Sequence, residues 1–257
     1  MAGSWDLGAL SKSSTRLASF VVTISGGRVF EYSYPQKKDG KIITAQRFET
    51  LLVGNNPESY CIGFVKGSAA ARKSAAERYV DGTRLVLSKA ALDKYTSPSF
   101  ISTPVPFRIA LVKSQFKETG DLSGVSQPAA FPVPPRTVAD VARINANKTT
   151  DLLAMVKSVS EERNTKNGHA VADVVLLDDS KTNDHQLASV KVGVLGADKV
   201  KLLKTKVGCP MVFFNLSVSC ANSSTTISHY PDEQVLVAPE CTKTVLLREK
   251  PTSCPRP

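Results

Sequence analysis

The sequence predicts a mainly β protein: two five-stranded barrels in tandem, each with a short helix between its third and fourth strands. Two observations lead there. The order strand, strand, strand, helix, strand, strand occurs twice along the chain, and a proline-rich stretch separates the two occurrences.

In the first half, Ala18 to Ile24 is a β-branched and aromatic run that reads as a strand ended by Gly26-Gly27. Ile42 to Val53 alternates loosely before Gly54-Asn55-Asn56-Pro57, and Ser59 to Val65 is a short run before Gly67. Ser68 to Tyr79 is the clearest helix, with a serine cap, several alanines and no internal breaker; Asp81-Gly82 stops it. Thr83 to Lys89 and Pro106 to Lys113 complete the set.

The second half repeats the order. A short leading helix over Arg136 to Asn145 is capped by Thr137. Leu152 to Ser160 is a strand, Glu161 to Gly168 a polar loop, and Val171 to Leu177 a strand ended by the turn residues Asp178-Asp179-Ser180. Gln186 to Val194 alternates, Ala197 to Lys206 is a short basic helix, and Met211 to Ser219 and Thr226 to Val237 are the last strands. Three strands, a helix and two strands describe the oligonucleotide/oligosaccharide-binding barrel, the OB-fold; a pair of other small β domains is the alternative.

Between the halves, Ser126 to Pro135 holds four prolines in ten residues, an extended, partly ordered linker by composition. The expected division is an N-terminal tail over residues 1–15, a first barrel over 16–120, a linker over 121–136, a second barrel over 137–240 and a C-terminal tail over 241–257. Each barrel has an ordinary size for a small β domain.

The chain of 257 residues carries 33 Lys and Arg against 23 Asp and Glu, a formal charge of +10 that favours a polyanionic partner over a charge serving solubility alone. No apolar run is long enough to cross a bilayer, and the first ten residues do not read as a secretory signal. Five widely spaced cysteines without a C-x-x-C pair suggest reduced thiols in an intracellular compartment, with Cys61 filling a core position; no zinc-ligand pattern is present. The sequence contains no phosphate-binding Gly-rich loop with its Lys, no G-x-S-x-G elbow and no H-E-x-x-H, so neither an enzyme nor a cofactor is expected.

Several stretches resemble the tandem DNA-binding OB domains of the large subunit of replication protein A. They are Phe20-Val-Val-Thr-Ile24, Arg28-Val-Phe-Glu-Tyr-Ser-Tyr34, Lys37-Lys-Asp-Gly-Lys41, Ser59-Tyr-Cys-Ile-Gly-Phe64 and Leu87 to Ser97 in the first half. In the second half they are Asp151 to Val159, Val174 to Ser180 and Val192 to Lys199. The resemblance implies a reduced, two-barrel relative without that family's zinc-bearing and N-terminal domains. It also implies single-stranded DNA binding in a nuclear setting such as replication, repair, recombination or telomere maintenance.

That family stacks bases on two aromatic residues per barrel, which fall here on Phe64 and Tyr95. Every base has a π-face, so such a platform holds a strand without reading its sequence. The bland alternatives are a core residue for Phe64 and a solvent-facing hairpin residue for Tyr95. The expected strand 1–2 loop carries Arg28, Lys37, Lys38 and Lys41 among Phe30, Tyr32 and Tyr34; the last hairpin carries Lys89 and Lys94; Lys66 ends strand 3; and Tyr60 lies on the same strand. These cations would neutralise phosphates.

The second half has Leu195 at the strand 3 position and no ring near Ala221-Asn222-Ser223. Residues 1–125 hold 17 basic and 10 acidic side chains and 13 of the 17 aromatics, against 16 and 13 charges in residues 126–257. Stacking is therefore expected in the first barrel, with phosphate contacts or a protein partner for the second. Lys191, Lys199, Lys201, Lys204 and Lys206 form either a phosphate track or a solvated helix face. The competing functions are an OB-fold protein–protein assembly module and an RNA-binding component of a ribonucleoprotein.

Overall fold

The computed structural model describes residues 7, 20–35, 40–94, 101, 103–117, 129, 131–165, 168–221, 224–230 and 234–238. At residues 20, 33–35, 88–89, 94, 115–117, 221 and 224 the backbone alone is described. The chain divides into two compact units, Met1–Pro98 with Thr103–Val133, and Ser99–Ser102 with Pro134–Pro257. Each carries one antiparallel-rich sheet with the strand order of an OB-fold.

In the first unit the strands are β1 (Phe20–Pro35), β2 (Ile42–Val53), β3 (Tyr60–Lys66), β4 (Arg84–Lys89), β5 (Leu92–Lys94), β6 (Phe107–Ala110) and β7 (Gln115–Lys117), with helix α1 (Ala69–Arg78) between β3 and β4. The sheet order is β5-β6-β3-β2-β1-β4-β7. β3 and β6 run parallel, as the third and fifth strands of an OB-fold do. The expected strand over 106–113 divides at a 3-10 turn, Leu111–Lys113, and β4 and β5 are separated by Ala90 and Ala91, so the ladder traces a half-barrel.

The first strand does not stop at its glycines. Its register with β2 shifts between Ser25 and Arg28 and then continues to Pro35, so Gly26-Gly27 is a β-bulge. Gly26 takes φ 63°, open to glycine at no steric cost. A Cβ on Gly27 would lie 2.9 Å from the buried Phe48 ring. Residues 28–34, expected in a loop, therefore form a strand.

Alternation assigns the core. Val22, Ile24, Phe48, Leu52, Cys61, Val65, Leu87, Phe107 and Ile109 pack on the inner face, joined by Ala75 and Tyr79 from α1 and its cap. Ser68 caps α1 by accepting the Ala71 N–H at 3.2 Å. Burial pushes the Cys61 thiol far above its ordinary pKa, which keeps it an inert apolar group. Leu7, from the expected N-terminal tail, is fully buried against this core, its Cβ 2.9 Å from where a Cβ on Gly54 would stand. The linker also ends in contact with the first unit: the Ala129 N–H donates to Gly54 O at 2.9 Å and the Val133 N–H to Pro57 O at 2.8 Å.

The second unit closes. Strands β8 (Lys148–Val159), β9 (Arg163–Asn164), β10 (Ala170–Lys181), β11 (Leu187–Leu195), β12 (Pro210–Ala221), β13 (Ser224–His229) and β14 (Val235–Val237) accompany helices α2 (Val138–Ala142) and α3 (Ala197–Lys204). β8 pairs with β10, β10 with β11, β11 in parallel with β13, β13 with β12, and β12 with β8, a complete five-stranded ring. The expected turn at Asp178-Asp179-Ser180 lies inside β10. Asp178, 1% exposed, accepts the Val138 N–H at 2.8 Å and the Ser180 N–H at 2.9 Å, so this acid caps α2 against the barrel wall. Thr137 and Asp140 complete a capping box at the same helix end, and the two Thr137 hydrogen bonds hold the Asp140 carboxyl below its usual range.

Candidate nucleic-acid interface

The pairing of the first unit places a row of rings and charges on the face of the sheet opposite the core. Arg28 stands beside Glu49, Phe30 beside Arg47, and Tyr32 beside Ala45. Across β2, Glu49 stands beside Phe64 and Arg47 beside Lys66. Ile62 stands beside Arg108, and Arg108 beside Asp93. Because side chains alternate along a strand, all of these point one way.

The rings and cations interleave. The Phe30 and Tyr32 planes lie within 10° of parallel with centroids 6.2 Å apart. The Arg47 guanidinium sits 5.4 Å from the Phe30 centroid, 4.9 Å from Tyr32 and 5.8 Å from Phe64. Arg28 lies 5.2 Å from Phe30, and Lys66 and Arg108 lie 5.2 and 5.4 Å from Phe64. Each is a cation–π distance.

Two carboxylates are set among them. Arg47 Nε donates to Glu49 Oε1 at 2.6 Å and its Nη2 contacts the same oxygen; Arg28 Nη2 is 3.9 Å from Oε2. Arg108 Nη2 donates to Asp93 Oδ2 at 2.9 Å. Lys41 and Lys66 are exposed at the margins.

Phe64 is on the outer face, buried to 5% by the cations above it rather than by the core. Phe30 and Tyr32 are half-buried on the same face, on a strand instead of a loop. Tyr60, at the start of β3, has no exposed surface and offers a base no face. Tyr95, Lys37 and Lys38 lie outside the described residues, as do the side chains of Lys89 and Lys94.

Arg47, Glu49, Asp93 and Arg108 are the members that sequence reasoning missed. The one signal was the Arg-x-Glu spacing inside β2, which sets both on one face; their partners come from other strands.

The second unit has a groove of about 640 Å³ on the corresponding face, lined among others by Arg163, Asp173, Lys191, Gly193, Leu195 and Ser228, with no ring among its lining residues. Arg163 donates to Asp173 Oδ1 at 2.9 Å, and Lys191 Nζ is 3.4 Å from Oδ2. The Arg163 hydrogen bond, aided by both positive charges, holds the Asp173 carboxyl below its usual range. Of the five lysines expected as a track, three meet different partners. Lys191 faces Asp173, Lys204 faces Glu161 at 3.5 Å, and Lys199 meets the buried His229 at 3.0 Å. Among the described residues no group of His, Cys, Asp and Glu is placed to hold a metal, and no helix is long and apolar enough to cross a membrane.

No family model matches the chain, and no curated protein is similar to it. Solved structures with a related course of chain include a replication protein A heterotrimer bound to single-stranded DNA (TM-score 0.47, 14% identity, 93% of this chain and 53% of that one). Others are the p204 HINb domain (0.48, 9%, 87% and 98%) and the Ifi202 HINa domain in complex with a 20-bp DNA duplex (0.46, 10%, 86% and 96%). This chain spans about half the length of the replication protein A chain it matches. At these scores the tandem OB assignment rests on the strand pairing itself, above all on the parallel third and fifth strands of each unit.

Proposed function

We propose that this protein binds single-stranded DNA across the outer face of its first barrel, by stacking and phosphate contact and without catalysis. One observation carries the reading: three rings, Phe30, Tyr32 and Phe64, share one sheet face with Arg47 close to all three. A soluble barrel gains nothing by grouping rings and guanidiniums outside its core, whereas a polynucleotide offers both a π-face and an anion to such a surface. The exposed Lys41 and Lys66 are placed to meet phosphates along the margin.

A base that stacks on Phe64 takes the place of the exposed Lys66 above its ring. The exchange is favourable when the displaced cation moves onto a phosphate. The second barrel, with no ring in its groove, is assigned no stacking; a protein partner there belongs to the same proposal. So does a nuclear setting in replication, repair, recombination or telomere maintenance.

The test is a titration of the full chain with oligo-dT, oligo-U and duplex DNA at two salt concentrations. Oligo-dT is expected to bind tightest, with a steep loss as salt rises. The Phe30→Ala/Phe64→Ala variant is expected to lose on the order of 2–6 kcal/mol if the two stacks add. A folded variant that binds as well as the wild type refutes the site, and tighter oligo-U binding moves the reading to RNA.

A further inference from the structure

We propose that Glu49 and Asp93 are specificity-determining residues that make this face select unpaired strands over duplex. The inference rests on the nucleic-acid reading above and adds which form of nucleic acid the face accepts. A surface meant only to attract phosphate would leave its arginines open and carry no acid. Here each of the three arginines beside the rings has a carboxylate near it. Arg47 and Arg28 flank Glu49, and Arg108 is bonded to Asp93.

The burial sharpens the point. The side chains of Arg47, Arg108 and Arg28 are 13, 13 and 21% exposed, and that of Glu49 is 8% exposed. The guanidinium carbons lie 4.9–5.8 Å from the Phe30, Tyr32 and Phe64 centroids, with their charge largely answered from within the protein. The centre of the face is a layer of rings and ion-paired guanidinium groups, and the exposed Lys41 and Lys66 are at its edge.

This arrangement treats the two forms of DNA differently. A duplex hides its bases and presents phosphates, and a phosphate brought to the centre meets Glu49 and Asp93. The repulsion from Glu49 is weakly screened because that side chain is close to buried. A single strand turns its bases inward and keeps its phosphates at the lysine margin. Base stacking is nearly indifferent to the acids and still has the guanidinium planes as partners.

The experiment compares oligo-dT with a duplex of equal length, by fluorescence anisotropy on the full chain over a series of salt concentrations. It uses the wild type, Glu49→Gln and Asp93→Asn. Asp93 is the more exposed of the two, 37% at the side chain, so its variant keeps the test alive if Glu49→Gln unfolds.

Each variant is expected to bind duplex about tenfold more tightly, with oligo-dT changed less than about threefold. The duplex log K against log salt slope is expected to steepen by about 0.9 for each guanidinium released to a phosphate. Equal changes for both nucleic acids, or losses for both, would mean that the acids merely position the arginines, and would overturn the proposal. So would a wild type that prefers duplex. A wild type that binds neither form refutes the parent reading and this one with it, a result visible before any variant is compared.

Discussion

Tyr60 and Phe64 stand four residues apart on β3 and share a parity, yet only one belongs to the outer face as a ring among cations. The difference lies in what covers them: Tyr60 is sealed at the strand's start, where its carbonyl accepts the Val105 N–H at 3.3 Å. Truncation should separate the two kinds of ring. Tyr60→Ala is expected to lower stability by about 3–5 kcal/mol in a denaturant melt and to leave the folded fraction's affinity for oligo-dT unchanged. Tyr32→Ala should do the reverse, with little change in the melt and a loss of about 1–3 kcal/mol in binding. Asp173 supplies a residue-scale pH dependence. Its folded pKa is depressed by Arg163 and Lys191, so its contribution to stability is present above the ordinary carboxylate range and is lost as pH falls through the depressed value. Denaturant midpoints of wild type and Asp173→Asn should differ most near neutral pH and converge in acid.

Two strands run through residues that ordinarily end them. Gly26-Gly27 reads as a stop, but the second glycine leaves room for Phe48 and the chain continues as a bulged strand. Asp178-Asp179-Ser180 reads as a turn, but the buried acid has helix N–H groups to answer it. In both cases the deciding neighbour is distant in sequence, Phe48 in one and Val138 in the other, and so invisible to local reading. Gly27→Ala is expected to cost about 1–3 kcal/mol because the Phe48 ring is fully buried and has little room to yield. Asp178→Ala should cost about 1–3 kcal/mol by stranding the Val138 and Ser180 donors. Thermal or denaturant melts check both. The element the sequence read best was α1, where the serine cap and the alanine run are themselves the cause of the helix.

At the scale of the molecule the two barrels share a strand order and differ in chemistry. One carries rings and arginines on its outer face; the other has a groove of aliphatic, hydroxyl and ion-paired residues. Net positive charge should therefore appear as a salt effect that scales with the first barrel's marginal cations. Removing Lys41 and Lys66 singly is expected to reduce the log K against log salt slope for oligo-dT by about 0.7 each. Substitution of Lys191, which already faces Asp173, should leave that slope unchanged.

Taken alone, the amino-acid sequence determined the β content, the twice-repeated order of elements, the helix caps and the concentration of aromatics in the first half, because each depends on nearest neighbours or on counting. It named Phe30, Tyr32 and Phe64 but set two of them in a loop. Only the tertiary structure decided that Arg47 and Glu49 stand between those rings and that Asp93 answers Arg108, because these contacts depend on strand register. Period-two alternation tells which side of a strand a residue occupies; which residue of another strand lies beside it is a long-range packing outcome that no local pattern records.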